Sequence, residues 1–463
     1  MTPDSHSFVS SLLASRMRFR RFLEASEGLN LVLLWAAIAG LMVGLVGGAF
    51  RWLTSATLNG RVRWLASLPQ GPELVASVLL SSGMVALGFY LMRRFAPDTS
   101  GSGIPQIEGW LAGFFSLFWW RVLPVKFLAG ILTLGSGMVM GREGPTIQMG
   151  GAIGQMVSDW FRASTEQARV LVAASAGAGL ATAFNAPLAG IVFVFEEMRP
   201  TFQNRLRAYQ AVTIACITAT IGLQLLLGKG PTIELAQFGA PPLSSLWVFV
   251  LLGLACGAIG YSFNRLLVWS LNCFATLHGL PLRLTGLGVG GFIGLVSWLY
   301  PPATNSGENL VLWAFDTVEP IHTLLLLCSL RFALTLLCYG SGAPGGIFAP
   351  LLSIATLFSL GLGQLTIDWL PGLLLPPEVL AIAGMGAFVA ATIQSPLTAI
   401  LLTTEITSNY QLILPIMVSC SAATLIAHGL GSRPIYTVLL ERQLAKAGIA
   451  VPTPKAQNGA IDL

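Results

Sequence analysis

Charge is scarce in this sequence. Of 463 residues only 10% are Asp, Glu, Lys or Arg, while 54% are hydrophobic and the mean hydropathy is +0.75. A water-soluble domain carries about a quarter of its residues as charges, so most of this chain's surface must face lipid. Histidine and cysteine are also sparse. The four histidines, His6, His278, His322 and His428, are scattered, and the six cysteines, Cys216, Cys256, Cys273, Cys328, Cys338 and Cys420, form no CxxC pair. Structural disulfides and a metal cage are therefore not expected, and an intramembrane metalloenzyme or hydrolase finds neither clustered ligands nor a nucleophile beside a base. The formal net charge of +5 is modest, with arginines at segment ends and not along a stripe, which argues against nucleic acid.

Long apolar runs are plentiful. Leu29 to Phe50, Leu74 to Met92, Ala211 to Leu227, Leu246 to Phe263, Val379 to Leu402 and Leu412 to Leu430 each approach or exceed the roughly 20 residues that cross a bilayer as a helix. Arg16, Arg18, Arg20 and Arg21 precede the first run, which is too long for a signal peptide and lacks a small-residue cleavage site. A retained helix with a cytoplasmic N-terminus is expected, and the basic stretch from Arg433 to Lys455 puts the C-terminus on the same side. With about 30 residues beyond Pro434, no regulatory domain is expected there.

Glycine (51) and proline (26) cluster inside the apolar region. Backbone that breaks at membrane depth is tolerated only where protein or a polar cavity surrounds it. The breaks also recur. Lys126-Phe127, Gly135-Ser136-Gly137, Gly141 and Pro145 return 205 positions later as Arg331-Phe332, Gly340-Ser341-Gly342, Gly346 and Pro350. Gly177, Pro187-Leu188 and Glu196 return after 209 positions as Gly386, Pro396-Leu397 and Glu405. One membrane domain thus divides into related halves that meet near residues 230 to 245, where Gly230-Pro231 and Gly239-Ala240-Pro241-Pro242 mark a loop. Repeats of this kind in transporters put the substrate between the halves near mid-membrane.

Three interruptions, Gly101-Ser-Gly-Ile-Pro105, Gly141-Arg-Glu-Gly-Pro145 and Gly345-Gly-Ile-Phe-Ala-Pro350, place glycines ahead of a proline. Glycine frees the backbone, and proline suits a first helical turn because its missing N–H is not needed there. Each break should expose a helix N-terminus whose unpaired amides attract an anion with partial charges, strongly enough to bind and weakly enough to release. Ser102 adds a hydroxyl, and Ile347 and Phe348 add amides. The competing explanation is helix packing through small residues. Glu143, flanked by glycine, is a carboxylate placed where the helix end attracts an anion; it is expected either to compete with a transported anion and carry a proton, or to pair with Arg142. Glu196 and Glu197 end the run from Ala186 to Phe195, about 100° apart on a helix. Because Glu196 repeats as Glu405 it is expected to serve structure. Glu197 matches Ile406 and is the candidate proton-entry group, or else an ordinary acid at a helix end. Tyr436 follows the last long run and reads as an interfacial aromatic.

Taken together, these motifs and the final Pro434-Ile-Tyr436 resemble the CLC chloride channels and transporters over nearly the whole chain, closest to bacterial members. The resemblance implies an all-α membrane protein, an inverted repeat of many tilted and broken helices, working as a homodimer with one pore per subunit and no cofactor. It implies that Ser102 and Tyr436 hold a central chloride with the amides of Ile347 and Phe348, that Glu143 gates the outer side, and that Glu197 relays protons on the inner side. Ser102 resembles the chloride-preferring type and not the nitrate-preferring one, and the intact motifs differ from the fluoride-exporting branch. Gln106 departs from the glutamate frequent at that place.

The expected organisation is a cytoplasmic segment over 1–28, a membrane domain over 29–440 with halves 29–235 and 236–440, and a cytoplasmic tail over 441–463. The expected activity is chloride/proton antiport in a bacterial inner membrane, without enzymatic chemistry. A passive chloride channel is the nearest alternative; a cation transporter and a membrane hydrolase are more distant ones.

Overall fold

A computed structural model describes residues 5–69, 71–198, 205–230, 232–369 and 375–449, which form seventeen α-helices in chain order. The first eight are α1 (Ser5–Ala66), α2 (Pro72–Phe95), α3 (Ile104–Leu111), α4 (Trp119–Gly135), α5 (Glu143–Trp160), α6 (Thr165–Phe184), α7 (Pro187–Glu196) and α8 (Arg205–Leu227). The same order of long and short helices returns in α9 (Leu246–Ala275), α10 (Gly279–Leu299), α11 (Glu308–Asp316), α12 (Ile321–Gly340), α13 (Phe348–Trp369), α14 (Pro377–Ile393), α15 (Pro396–Thr407) and α16 (Ile413–Gly429). A final helix, α17 (Ile435–Lys446), stands outside the repeat. Eight of the described helices are long and apolar enough to cross a membrane. Residues 1–4 of the N-terminal segment and 450–463 of the tail lie outside the described residues, as does the Arg199-Pro200 that follows α7.

One apolar run does not span as a single helix. Val379 to Leu402 is divided into α14 and α15, with Gln394 in the left-handed region (φ 63°) and Ser395 non-helical (φ −123°, ψ 77°) ahead of Pro396. Proline disfavours helical geometry in the residue before it, so the helix stops and restarts. The first half breaks in the same manner at Asn185 (φ 53°), Ala186 and Pro187. Hydrophobicity alone sees through such a break, because the residues on both sides are buried in protein.

The two central helices, α6 and α14, are buried along nearly their whole length. Around them the outer helices expose leucines such as Leu79, Leu225, Leu326 and Leu425. Lipid is as apolar as those side chains, so helix association in a bilayer rests on close packing and on hydrogen bonds between helices. Several of those bonds join the halves reciprocally. The Glu196 carboxylate at the end of α7 accepts from the amides of Leu397 (3.0 Å) and Thr398 (2.6 Å) at the start of α15. The Glu405 carboxylate in α15 accepts from the amides of Leu188 (3.0 Å) and Ala189 (2.8 Å) at the start of α7. Each acid satisfies the orphan amides of the other half's helix, and donors and acceptors all correspond at the 209-residue offset. The structural role expected for Glu196 is thereby met.

Candidate anion site between the halves

A second reciprocal contact marks the centre. Gly141 N–H donates to Gly346 O (2.9 Å) and Gly346 N–H donates to Gly141 O (2.7 Å), an isolated antiparallel bridge between residues 205 positions apart. Equivalent residues that bond to one another in both directions lie on a local two-fold axis. The helices α5 and α13 begin just beyond these glycines, so their amide-bearing ends converge there.

Glu143 is the first residue of α5 and is fully buried. Its Oε1 accepts from the amide of Ala349 in the first turn of α13 (3.1 Å). A side chain at Gly346 would meet Glu143 Oε1 at 2.7 Å, and one at Gly141 would collide with the same carboxylate. Two equivalent glycines therefore make room for one negatively chargeable group at two helix N-termini. Its other oxygen, Oε2, has no hydrogen-bond partner. The alternative in which Arg142 pairs with Glu143 does not hold. Arg142 Nη2 lies 2.7 Å from Glu308 Oε1, and its Nε donates to Ala183 O (3.1 Å). That pairing was invisible in the sequence because the partners are 166 positions apart, in different halves.

Ser102 sits in the loop before α3, where Gly101 (φ 67°) and Gly103 (φ 90°) take left-handed backbone that a Cβ would strain. The loop is fixed to the other half by Gly101 N–H to Gly342 O (3.3 Å) and Gly345 N–H to Gly101 O (3.1 Å). Its hydroxyl accepts from Tyr339 Oη (3.3 Å), a group that sequence reasoning passed over. Ser102 also lines a cavity of about 630 Å³, together with Tyr339, Gln148, Arg442 and Lys446. Gln106 lines it too and donates from Nε2 to Ser100 O (3.2 Å).

Ile347 and Phe348 are fully buried where α13 begins. As residues of a helix start, their amides have no acceptor within the helix. Phe348 is an aromatic hub. Its ring stacks on Tyr436 (centroids 6.2 Å apart, 24° between planes) and touches Phe184 of α6 at 6.2 Å and Phe193 of α7 at 6.3 Å. The interfacial expectation for Tyr436 does not hold: it is fully buried at the start of α17, and its hydroxyl has no hydrogen-bond partner. The helix that carries it returns into the domain after Pro434, a turn that an aromatic's position in the sequence does not reveal.

Glu197 closes α7 and is 8% exposed. Its Oε2 accepts from Ser395 Oγ, the residue ahead of α15. Phe193, one helical turn earlier, touches Phe348, whose neighbour Ala349 donates to Glu143, so the aromatic cluster links the two acids.

Two fully buried cations frame the site without offering it their charge. Lys126 Nζ donates to the carbonyls of Thr99 (2.9 Å) and Gly101 (2.7 Å). Its repeat equivalent Arg331 donates to the carbonyls of Pro302 (3.3 Å), Thr304 (2.9 Å) and Asn305 (3.1 Å) and to Ser353 Oγ (3.0 Å). The sequence marked these residues as part of the repeat; their work of holding the loops before α3 and α11 emerges only in three dimensions. Among the described residues no three His, Cys, Asp or Glu side chains come together as metal ligands.

The arrangement brings carboxylates, hydroxyls and free amides into one buried seam between repeated halves. It is the arrangement of a known family: the model of the voltage-gated chloride channel family matches residues 82–428, and this chain belongs to that family. The fold is its all-α inverted repeat of broken helices in an integral, multi-pass membrane protein. The chain is 41% identical over 467 residues to a protein of Salmonella newport named H(+)/Cl(-) exchange transporter ClcA, covering 99% of this chain and 98% of that one. It is 46% identical over 421 residues to a protein of the same name from Vibrio campbellii, covering 89% and 90%. A solved structure described as a slow cyanobacterial Cl-/H+ antiporter superposes with a TM-score of 0.87 at 50% identity, covering 90% of this chain and 99% of that one.

Proposed function

We propose that this chain exchanges chloride for protons across the membrane, as a transporter and not as an enzyme. The carrying observation is the Glu143 carboxylate lying against the amide of Ala349 at the meeting of two helix N-termini. An acid seated where an anion is favoured couples the two ions. Ionised, it occupies the place; protonated, it loses its attraction to the amides and yields to chloride.

In this reading chloride is held by the hydroxyls of Ser102 and Tyr436 and the amides of Ile347 and Phe348. The unpartnered hydroxyl of Tyr436 supports this, since a buried hydroxyl without an acceptor costs free energy that an anion would offset. Glu143 gates and takes the proton on the outer side; Glu197 relays it on the inner side. The names of the relatives support antiport over a passive channel. The protein works as a homodimer with one pore per subunit, in a bacterial inner membrane with both termini cytoplasmic, in line with the bacterial relatives.

The test is proton movement driven by a chloride gradient in reconstituted liposomes. Wild type is expected to move protons in the direction opposite to chloride. Glu143→Gln is expected to stop proton movement while chloride still passes, and Glu197→Gln to do the same. Chloride flux with no proton movement in the wild type would instead establish the passive channel.

A further inference from the structure

The two mouths of the pathway differ in charge at positions the repeat makes equivalent. A cavity of about 350 Å³ is lined by Arg142, Asn305, Ser306, Gly307, Glu308 and Trp313, among others. It is the counterpart of the cavity beside Ser102. Ser306 stands 204 positions after Ser102, and Gly307 (φ 97°, ψ 3°) repeats the left-handed backbone of Gly103 (φ 90°, ψ −9°) ahead of a short helix. The next residues diverge. Where the first half has Ile104, the second has Glu308, and where the second half has Ile347, the first has Arg142. At these equivalent positions one half-site carries two buried isoleucines and the other an ion pair.

The ion pair is partly buried, with side chains 9% and 20% exposed, and it joins the starts of α5 and α11. Arg142 adjoins Glu143 in sequence, and both Arg142 and Glu308 act electrostatically on the Glu143 carboxylate. A third charge, Arg51 of α1, interacts with both members of the pair. The charged residues that line the cavity, Arg142 and Glu308, sum to zero, and without Glu308 the sum would be +1, with Arg51 acting on both from outside the lining. A cavity with low-dielectric walls concentrates counter-ions according to that sum.

We propose that Glu308 sets the strength with which anions are captured at the Arg142 mouth, by neutralising Arg142 and so keeping capture weak enough for release. Glu308 is a positioning and charge-setting residue for the transport reaction and does not itself touch the central anion. The inference rests on the chloride transport proposed above. It also distinguishes the two cavities: the one at Ser102 has no such pair at the equivalent positions and carries its charges, Asp98, Arg442 and Lys446, elsewhere in its lining.

The experiment is chloride flux in reconstituted liposomes as a function of chloride concentration, at low ionic strength and at high ionic strength set with an impermeant salt. Glu308→Gln keeps the size and a hydrogen-bonding group but removes the charge, and is expected to lower the half-saturating chloride concentration roughly three- to tenfold at low ionic strength. Because the cause is a field, the difference should shrink toward parity near 1 M salt, where the Debye length is about 3 Å. Arg51→Gln is expected to shift half-saturation the opposite way, and it reports independently if the first variant does not fold. Unchanged half-saturation in the variants, or a shift of equal size at both ionic strengths, overturns the proposal. Absence of chloride flux in the wild type would be a failure of the transport reading itself, and is distinguishable on that ground.

Discussion

The two halves share a backbone plan and divide the chemistry. Helix breaks, left-handed glycines, the reciprocal caps Glu196 and Glu405 and the buried cations Lys126 and Arg331 correspond between them, yet three other acids do not. Glu143 corresponds to Phe348, Glu197 to Ile406 and Glu308 to Ile104. The duplicated backbone supplies converging helix ends, a property of geometry that both halves must keep. Side chains at equivalent places then became an acid on one side and an aromatic or aliphatic group on the other. Repetition builds the seat, and departure from repetition gives it direction.

That comparison can be broken most forcefully at the buried cations. Arg331 makes bonds to three carbonyls and one hydroxyl, Lys126 to two carbonyls. Arg331→Met should destabilise the protein by about 3–5 kcal/mol, because several buried acceptors lose their donor at once. Lys126→Met should cost less. Thermal unfolding of the detergent-solubilised protein measures both, and equal losses would show that the number of bonds does not govern the cost.

A smaller effect sharpens the contrast at the axis. At Gly346 a methyl group would meet the Glu143 carboxylate and also the Gly144 backbone nitrogen at 2.8 Å; at Gly141 its nearest neighbours are all atoms of the movable Glu143 side chain. Gly346→Ala should therefore destabilise by about 1–3 kcal/mol, and Gly141→Ala by less, since only a side chain must give way. In Gly141→Ala the displaced carboxylate should also weaken proton coupling, read as protons moved per chloride. Coupling equal to wild type would mean that the seat of Glu143 is not the place where the ions compete.

The smallest expected difference concerns the exchanged caps. Glu196→Ala and Glu405→Ala should each cost about 1–2 kcal/mol and match one another within about 0.5 kcal/mol, as both remove a carboxylate from two helix-starting amides. A larger gap would place the extra load on Thr398, whose hydroxyl also donates to Glu196 (2.8 Å). Thermal midpoints of the two variants decide it.

The repeat, the three glycine-proline breaks and the structural use of Glu196 were legible because each is written in residue type and spacing. The break at Gln394 was not, since the flanking residues are buried in protein and read as one apolar run. The interfacial reading of Tyr436 failed for a related reason, whereas the family resemblance had set it inside the protein: its burial depends on where α17 folds back, a tertiary fact. The pairing of Arg142 with Glu308, and the carbonyls gathered by Lys126 and Arg331, depend on residues brought from distant parts of the chain. Local pattern reveals where backbone ends are exposed, while partners across the seam require the fold.

The glycine bridge on the axis bears on how such a molecule can work at all. Two mutual backbone bonds tie the halves beside the Glu143 carboxylate, so swinging one half away from the other there would strand four polar groups inside the membrane. Whatever opens and closes must be small: a rotating carboxyl, a shifting ring, a hydroxyl changing partners, carried out inside a frame that stays still.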